Sequence, residues 1–159
     1  MTILRRQDGS VDFRRDWVSY RTGFGNLEGE LFIGLEKLYQ MTKDKPHELY
    51  IKLVDSMENI DHAHYDNFQI GSERESYELK SLGTFSGTTV DRMTANKGMK
   101  FSTYDRDNDL SYYNCALEFN GGWWHRDFED WSCLTVEYPQ WVPFYVLTFS
   151  EMLIKPKSI

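Results

Sequence analysis

The chain has 159 residues, enough for one domain built around one core. Its formal net charge of −7 argues against nucleic acid or an anionic membrane as partner, because both call for a basic patch. No stretch approaches the roughly 18 consecutive apolar residues of a membrane span.

In chain order, residues 1–5 predict a short apolar strand, followed by a turn at Gln7-Asp8-Gly9-Ser10. Asp12 is expected to cap a short helix that brings Phe13, Trp17 and Tyr20 near one face. Gly23, Gly25 and Gly29 break the chain. Residues 31–41 then carry Leu31, Leu35 and Leu38 at helical spacing, with Glu36 and Lys37 outward, and Pro46 closes that unit. Leu49, Ile51 and Leu53 alternate with Tyr50, Lys52 and Val54, the clearest strand pattern present. Residues 61–70 are its expected partner, and 77–79 a third short strand. Residues 83–101 are rich in Gly, Ser and Thr and read as loop. The last strand is expected over 145–154, with Tyr145, Leu147, Phe149, Met152 and Ile154 inward. These elements make an α+β domain: a twisted antiparallel sheet with short helices and long functional loops.

Residues 100–124 concentrate the chemistry. Asp105, Asp107 and Asp109 alternate on one loop, and hard cations such as calcium are held by converging oxygens of this kind. An EF-hand is excluded. Counting from Asp105, Leu110 stands where that loop needs Gly, and Ala116 where it needs Glu. Cys115 and Cys133 are the two cysteines, and by themselves they are compatible with a disulfide or with two buried thiols. His62 and His64 share a strand face but have no third ligand in view, so they read as a surface pair. No nucleophile elbow, Cys/His pair or hydrolytic acid pair is visible, and the chain is not read as an enzyme.

Several segments resemble the fibrinogen C-terminal domain, shared by ficolins, tachylectins, angiopoietins and tenascins. They are RRQDGS (5–10), 17–42, GMKFSTYDRDND (98–109), NCA (114–116), GGWW (121–124) and YVLTFSEMLIKP (145–156). The whole chain, 1–159, is then one such domain, with its calcium loop and an altered pocket region over 98–144. The resemblance implies secretion, one Ca²⁺, and a Cys115–Cys133 disulfide. It implies calcium ligands from the Asp107 and Asp109 carboxylates and from the Ser111 and Tyr113 carbonyls, with Asp105 supporting the loop. It also implies an extracellular recognition module for acetylated glycans, in an innate-immune or cell-surface setting. The alternatives are a protein–protein adhesion or signalling module without lectin activity and a degenerate truncated product, and homo-oligomerisation is left open.

Three departures from the family qualify this. Its members begin earlier, so residues 1–5 are expected to form a sheet edge lacking its partners. The opening Met1-Thr2-Ile3-Leu4-Arg5-Arg6 has no apolar signal core, so an extracellular chain of this kind reads as a fragment, a truncated gene product or one piece of a longer chain. After Trp124 the pocket motif is rewritten and shortened. The nearest ligand-binding material is His125, Trp131, Tyr138 and Trp141, aromatics that stack on sugar rings and a His that donates to an acetyl carbonyl.

Overall fold

The computed structural model describes residues 1–127, 133–136, 139, 141 and 146–158. Its centre is the hairpin of β4 (His47–Asp55) and β5 (Ile60–Ile70), where strict alternation buries Leu49, Ile51 and Leu53 on one face. β8 (Leu147–Pro156) lies antiparallel on the other side of β4, and β1 (Thr2–Arg6) lies beside β8. β3 (Leu31–Phe32) and β2 (Phe24–Gly25) continue the sheet beyond β1, while β6 (Leu79–Ser81) and β7 (Phe85–Gly87) both pair with β5. Helices α1 (Trp17–Thr22), α2 (Leu35–Thr42) and α3 (Cys115–Phe119), with 3-10 turns at Glu73–Glu75 and Thr94–Asn96, complete the described elements. The expected α+β architecture is therefore present.

Four local expectations are corrected. The cap of α1 is Asp16, whose carboxylate accepts the Ser19 N–H at 2.9 Å. Asp12 instead accepts from Arg14 in the preceding turn. Leu31 and Phe32 are strand, not helix: Gly34, at φ 107°, interrupts the helical pattern, and a Cβ there would lie 2.6 Å from the Thr22 carbonyl oxygen. Tyr77 adopts φ 49° and stands before β6 rather than in it. In β8 the inward set is Ser150, Met152 and Ile154, not Phe149. A bulge causes this, since Val54 pairs with Phe149 but Asp55 pairs with Leu147. Tyr145 lies outside the described residues.

Residues 1–5 do not form a bare edge either. β1 is flanked by β3 and β8, and the Met1 amine donates to the Ile154 carbonyl at 2.9 Å. Beside the sheet, Tyr20, Phe24, Phe32, Phe101 and Trp124 pack ring against ring, mostly edge to face or tilted. This aromatic core is the platform on which the acidic loop stands.

Candidate functional site

The acidic loop leaves the core through a paired entrance and exit. Ser102 and Trp123 exchange backbone hydrogen bonds at 2.9 and 3.1 Å. Gly122 passes so close to Tyr20 that a Cβ would lie 2.8 Å from the ring, and its N–H donates to the Tyr20 hydroxyl. The buried Trp124 indole donates to the Tyr77 carbonyl at 2.8 Å. Asp105 faces away from the other acids: it accepts from the Trp17 N–H at 2.9 Å and from the Thr103 hydroxyl at 2.6 Å. Arg106 stacks over the Trp17 ring at 4.2 Å. Asp105 thus fastens the loop to the start of α1.

Beyond it, carboxylates organise the backbone. Asp107 accepts from the Asp109 N–H at 3.2 Å, and Asp109 accepts from Ser111 at 2.9 Å and from Cys115 at 3.0 Å. Asn114 caps α3 through the Leu117 N–H, and Leu110 donates to the Arg126 carbonyl. Neither Asp107 nor Asp109 has a Lys, Arg or His within 4.0 Å among the described residues. Burial raises the Asp109 pKa and the adjoining Asp107 carboxyl adds to it, against hydrogen bonds from Cys115 and Ser111. Two adjoining carboxyls without a counter-charge are a donor set that suits a hard cation, and their second lone pairs remain for one. Among the described residues no three His, Cys, Asp or Glu side chains gather as a metal cluster, so His62 and His64 gain no third ligand. His64 is occupied by Glu48 at 3.0 Å and by Ser86 at 3.1 Å.

Cys115 and Cys133 are both buried and are not joined by a disulfide. Burial, with Asp109 alongside, pushes the Cys115 thiol up to about 12. The Cys133 sulfur lies 3.5 Å from the Thr135 hydroxyl. Each sulfur is thus engaged in its own surroundings, and the pairing implied by the resemblance is not formed.

His125 and Trp141 are interior residues, each 1% exposed. His125 Nε2 lies 2.8 Å from the Gly121 carbonyl, and burial lowers its pKa to about 4. The Trp141 indole donates to the Val90 carbonyl at 3.0 Å. Their described contacts are with different segments, and both help close the core. Trp131 and Tyr138 lie outside the described residues.

The ion pair of Arg6 and Glu30 was not found by sequence reasoning. Glu30, 1% exposed, gathers the N–H groups of Gln7, Asp8 and Val11 at 2.7–3.2 Å. Burial raises its pKa most, yet these hydrogen bonds outweigh it and leave the value lowered. Arg6 donates to the Leu134 and Val136 carbonyls at 3.0 Å and covers the Phe13 ring. Arg6 belongs to the RRQDGS motif, but nothing in the sequence pairs it with a carboxylate 24 positions away.

The family model for the C-terminal globular domain of fibrinogen beta and gamma chains matches residues 1–140. The chain belongs to this fibrinogen C-terminal domain family. Ficolin-3 of Homo sapiens is 48% identical over 126 residues, covering 79% of this chain and 42% of that protein. Tenascin-R of Gallus gallus is 43% identical over 127 residues, covering 80% and 9%. Fibrinogen C domain-containing protein 1 of Mus musculus is 37% identical over 176 positions, covering 96% and 37%. The chain thus spans less than half the length of each of these curated relatives. The fibrinogen-like globe of human ANGPTL6 superposes at TM-score 0.93 with 38% identity, covering 99% of this chain and 78% of that one. A lamprey fibrin D-dimer complexed with the peptide Gly-His-Arg-Pro-amide superposes at TM-score 0.86 with 30% identity, covering 98% and 60%.

Proposed function

We propose that this chain is a calcium-stabilised extracellular recognition module that binds a protein rather than an acetylated glycan. The observation carrying the choice of partner is the burial of His125 and Trp141, which removes two of the four candidate sugar-contacting side chains from the surface. The peptide held by the lamprey fibrin relative supports the same choice. For calcium, the carboxylates of Asp107 and Asp109 and the carbonyls of Ser111 and Tyr113 would hold the ion, with Asp105 anchoring the loop to α1. The ion would supply positive charge to two adjoining carboxyls that lack it. The protein's own contribution is the set of N–H donors that fixes those carboxyls. An ion bound only by the folded chain raises stability by RT ln(1 + [Ca²⁺]/Kd).

An immobilised N-acetylglucosamine column separates the two partner classes. Flow-through both with calcium and with EDTA is expected. Retention in calcium with release by EDTA or acetate would establish the glycan reading instead. For the ion, calcium is expected to raise Tm, and Asp107→Ala or Asp109→Ala to abolish the rise. An EDTA-insensitive Tm in the unaltered chain would refute the site.

A further inference from the structure

We propose that the cleft between the β4–β5 turn, the 88–90 segment and the start of β8 docks a protein segment carrying an aliphatic anchor beside lysine or arginine. The proposal rests on the protein-recognition reading above and names the partner's chemistry. The cleft has a volume of about 640 Å³, within the range of roughly 300–1,000 Å³ typical of binding sites. Leu53, Leu147 and Trp141 lie at its inner side, and Ile60 and Val90 line it further out. Ile60 (55% exposed) and Val90 (51%) line it, and Met57 (79%) in the β4–β5 turn and Val146 (51%) just before β8 are exposed as well.

The walls are fixed in advance. The Ser56 N–H donates to the Val146 carbonyl, Thr88 and Thr89 donate to His62, and the Trp141 indole holds Val90. Docking therefore requires little reordering of the groove.

Charge decides the occupant. Among the described residues, the lining includes Asp55 and Asp61 and no cationic side chain. Asp55 is committed to the turn, accepting from Met57 and twice from Asn59. Asp61 is different: it sits opposite Leu53 in the ladder and, by the period of two, on the same core-facing side of β5 as Ala63 and Tyr65. Its carboxylate is part-buried and has no hydrogen-bond or ion-pair partner among the described residues. A Lys or Arg brought in by a partner would supply the missing counter-charge, while a neighbouring aliphatic side chain fills the cleft. A stacked sugar is disfavoured, because Trp141, the one aromatic residue of the described lining, offers no exposed face.

The test is a methyl-resolved NMR titration with two acetylated, amidated hexapeptides, (Lys-Leu)₃ and (Glu-Leu)₃. Saturable shifts of the Ile60, Val90 and Leu147 methyls are expected with the lysine peptide, and binding at least about tenfold weaker with the glutamate peptide. Asp61→Lys, checked for an unchanged melting transition, should invert that preference. An equal response to both peptides, shifts confined to other methyls, or no shift at about 1 mM peptide overturns the proposal. So does N-acetylglucosamine trisaccharide moving these methyls when the peptides do not. The expected result is the same in calcium and in EDTA, so failure of the calcium site and failure of this groove are separately visible.

Discussion

The β4–β5 hairpin and the acidic loop reach order by opposite routes. In the hairpin, Leu49, Ile51, Leu53, Ala63 and Tyr65 are buried, and a carboxylate, that of Asp55, serves at its turn. In the loop, Tyr104, Leu110, Tyr112 and Tyr113 are exposed, Tyr112 by 96%. The loop keeps its shape because Asp105, Asp107, Asp109 and Ser111 accept hydrogen bonds from backbone N–H groups. Apolar burial is insensitive to pH and to ions, whereas an array of carboxylates responds to both. One molecule therefore contains a frame held mainly by apolar burial and an edge held mainly by carboxylates.

The largest expected effect is on the frame. Leu49→Ala should cost about 3 kcal/mol and lower Tm equally in calcium and in EDTA. A loss that calcium repairs would break the comparison. Next is the histidine behind the loop. His125 has a folded pKa lowered to about 4 by burial, so the unfolded chain takes the proton first. Its contribution is present above pH ~6.5 and is lost as pH falls through ~4, on the order of 3 kcal/mol in all. Melting curves over that window should flatten for His125→Gln, and an unchanged slope would show that the proton goes elsewhere.

Asp109 titrates in the opposite sense. Its folded pKa is raised, first by burial, so without calcium the folded chain holds that proton more tightly. That contribution is present below the ordinary carboxylate range and is lost as pH rises through the raised value. Calcium needs the ionised form, so its Tm gain should grow with pH over the same interval. Equal gains at both ends would contradict the coupling. Asp109→Ala should cost about 1–2 kcal/mol and speed amide exchange at Ser111 and Cys115, leaving β4 and β5 unchanged. The smallest effect is on the outer sheet face, where Glu48→Gln removes the His64 contact. It should change stability by less than about 1 kcal/mol, because that pair is partly solvated.

Much of the frame was legible in the residues. The alternation of 49–54 and the apolar pattern of 61–70 reported β4 and β5, since a face that must be buried leaves a period of two. Helix starts were less legible, because Asp12 and Asp16 are both competent caps and only the packing of Trp17 and Tyr20 selects the second. The turn at Gly34 and the bulge in β8 were not legible. Both depend on how a neighbouring strand approaches.

The sequence by itself determined the family, the α+β class and the alternating acids of the loop, because motifs and periodicities are local records of what must be buried or bonded. Only the tertiary structure decided that Asp105 serves α1, that Cys115 and Cys133 are not joined to each other, and that Glu30 answers Arg6. It also decided that His125 and Trp141 face inward, and that Asp61, without a partner among the described residues, lines a cleft with Leu53, Ile60, Val90 and Leu147. The reason is common to all of these. Burial and pairing are set by residues distant in the chain, and no local pattern carries their positions.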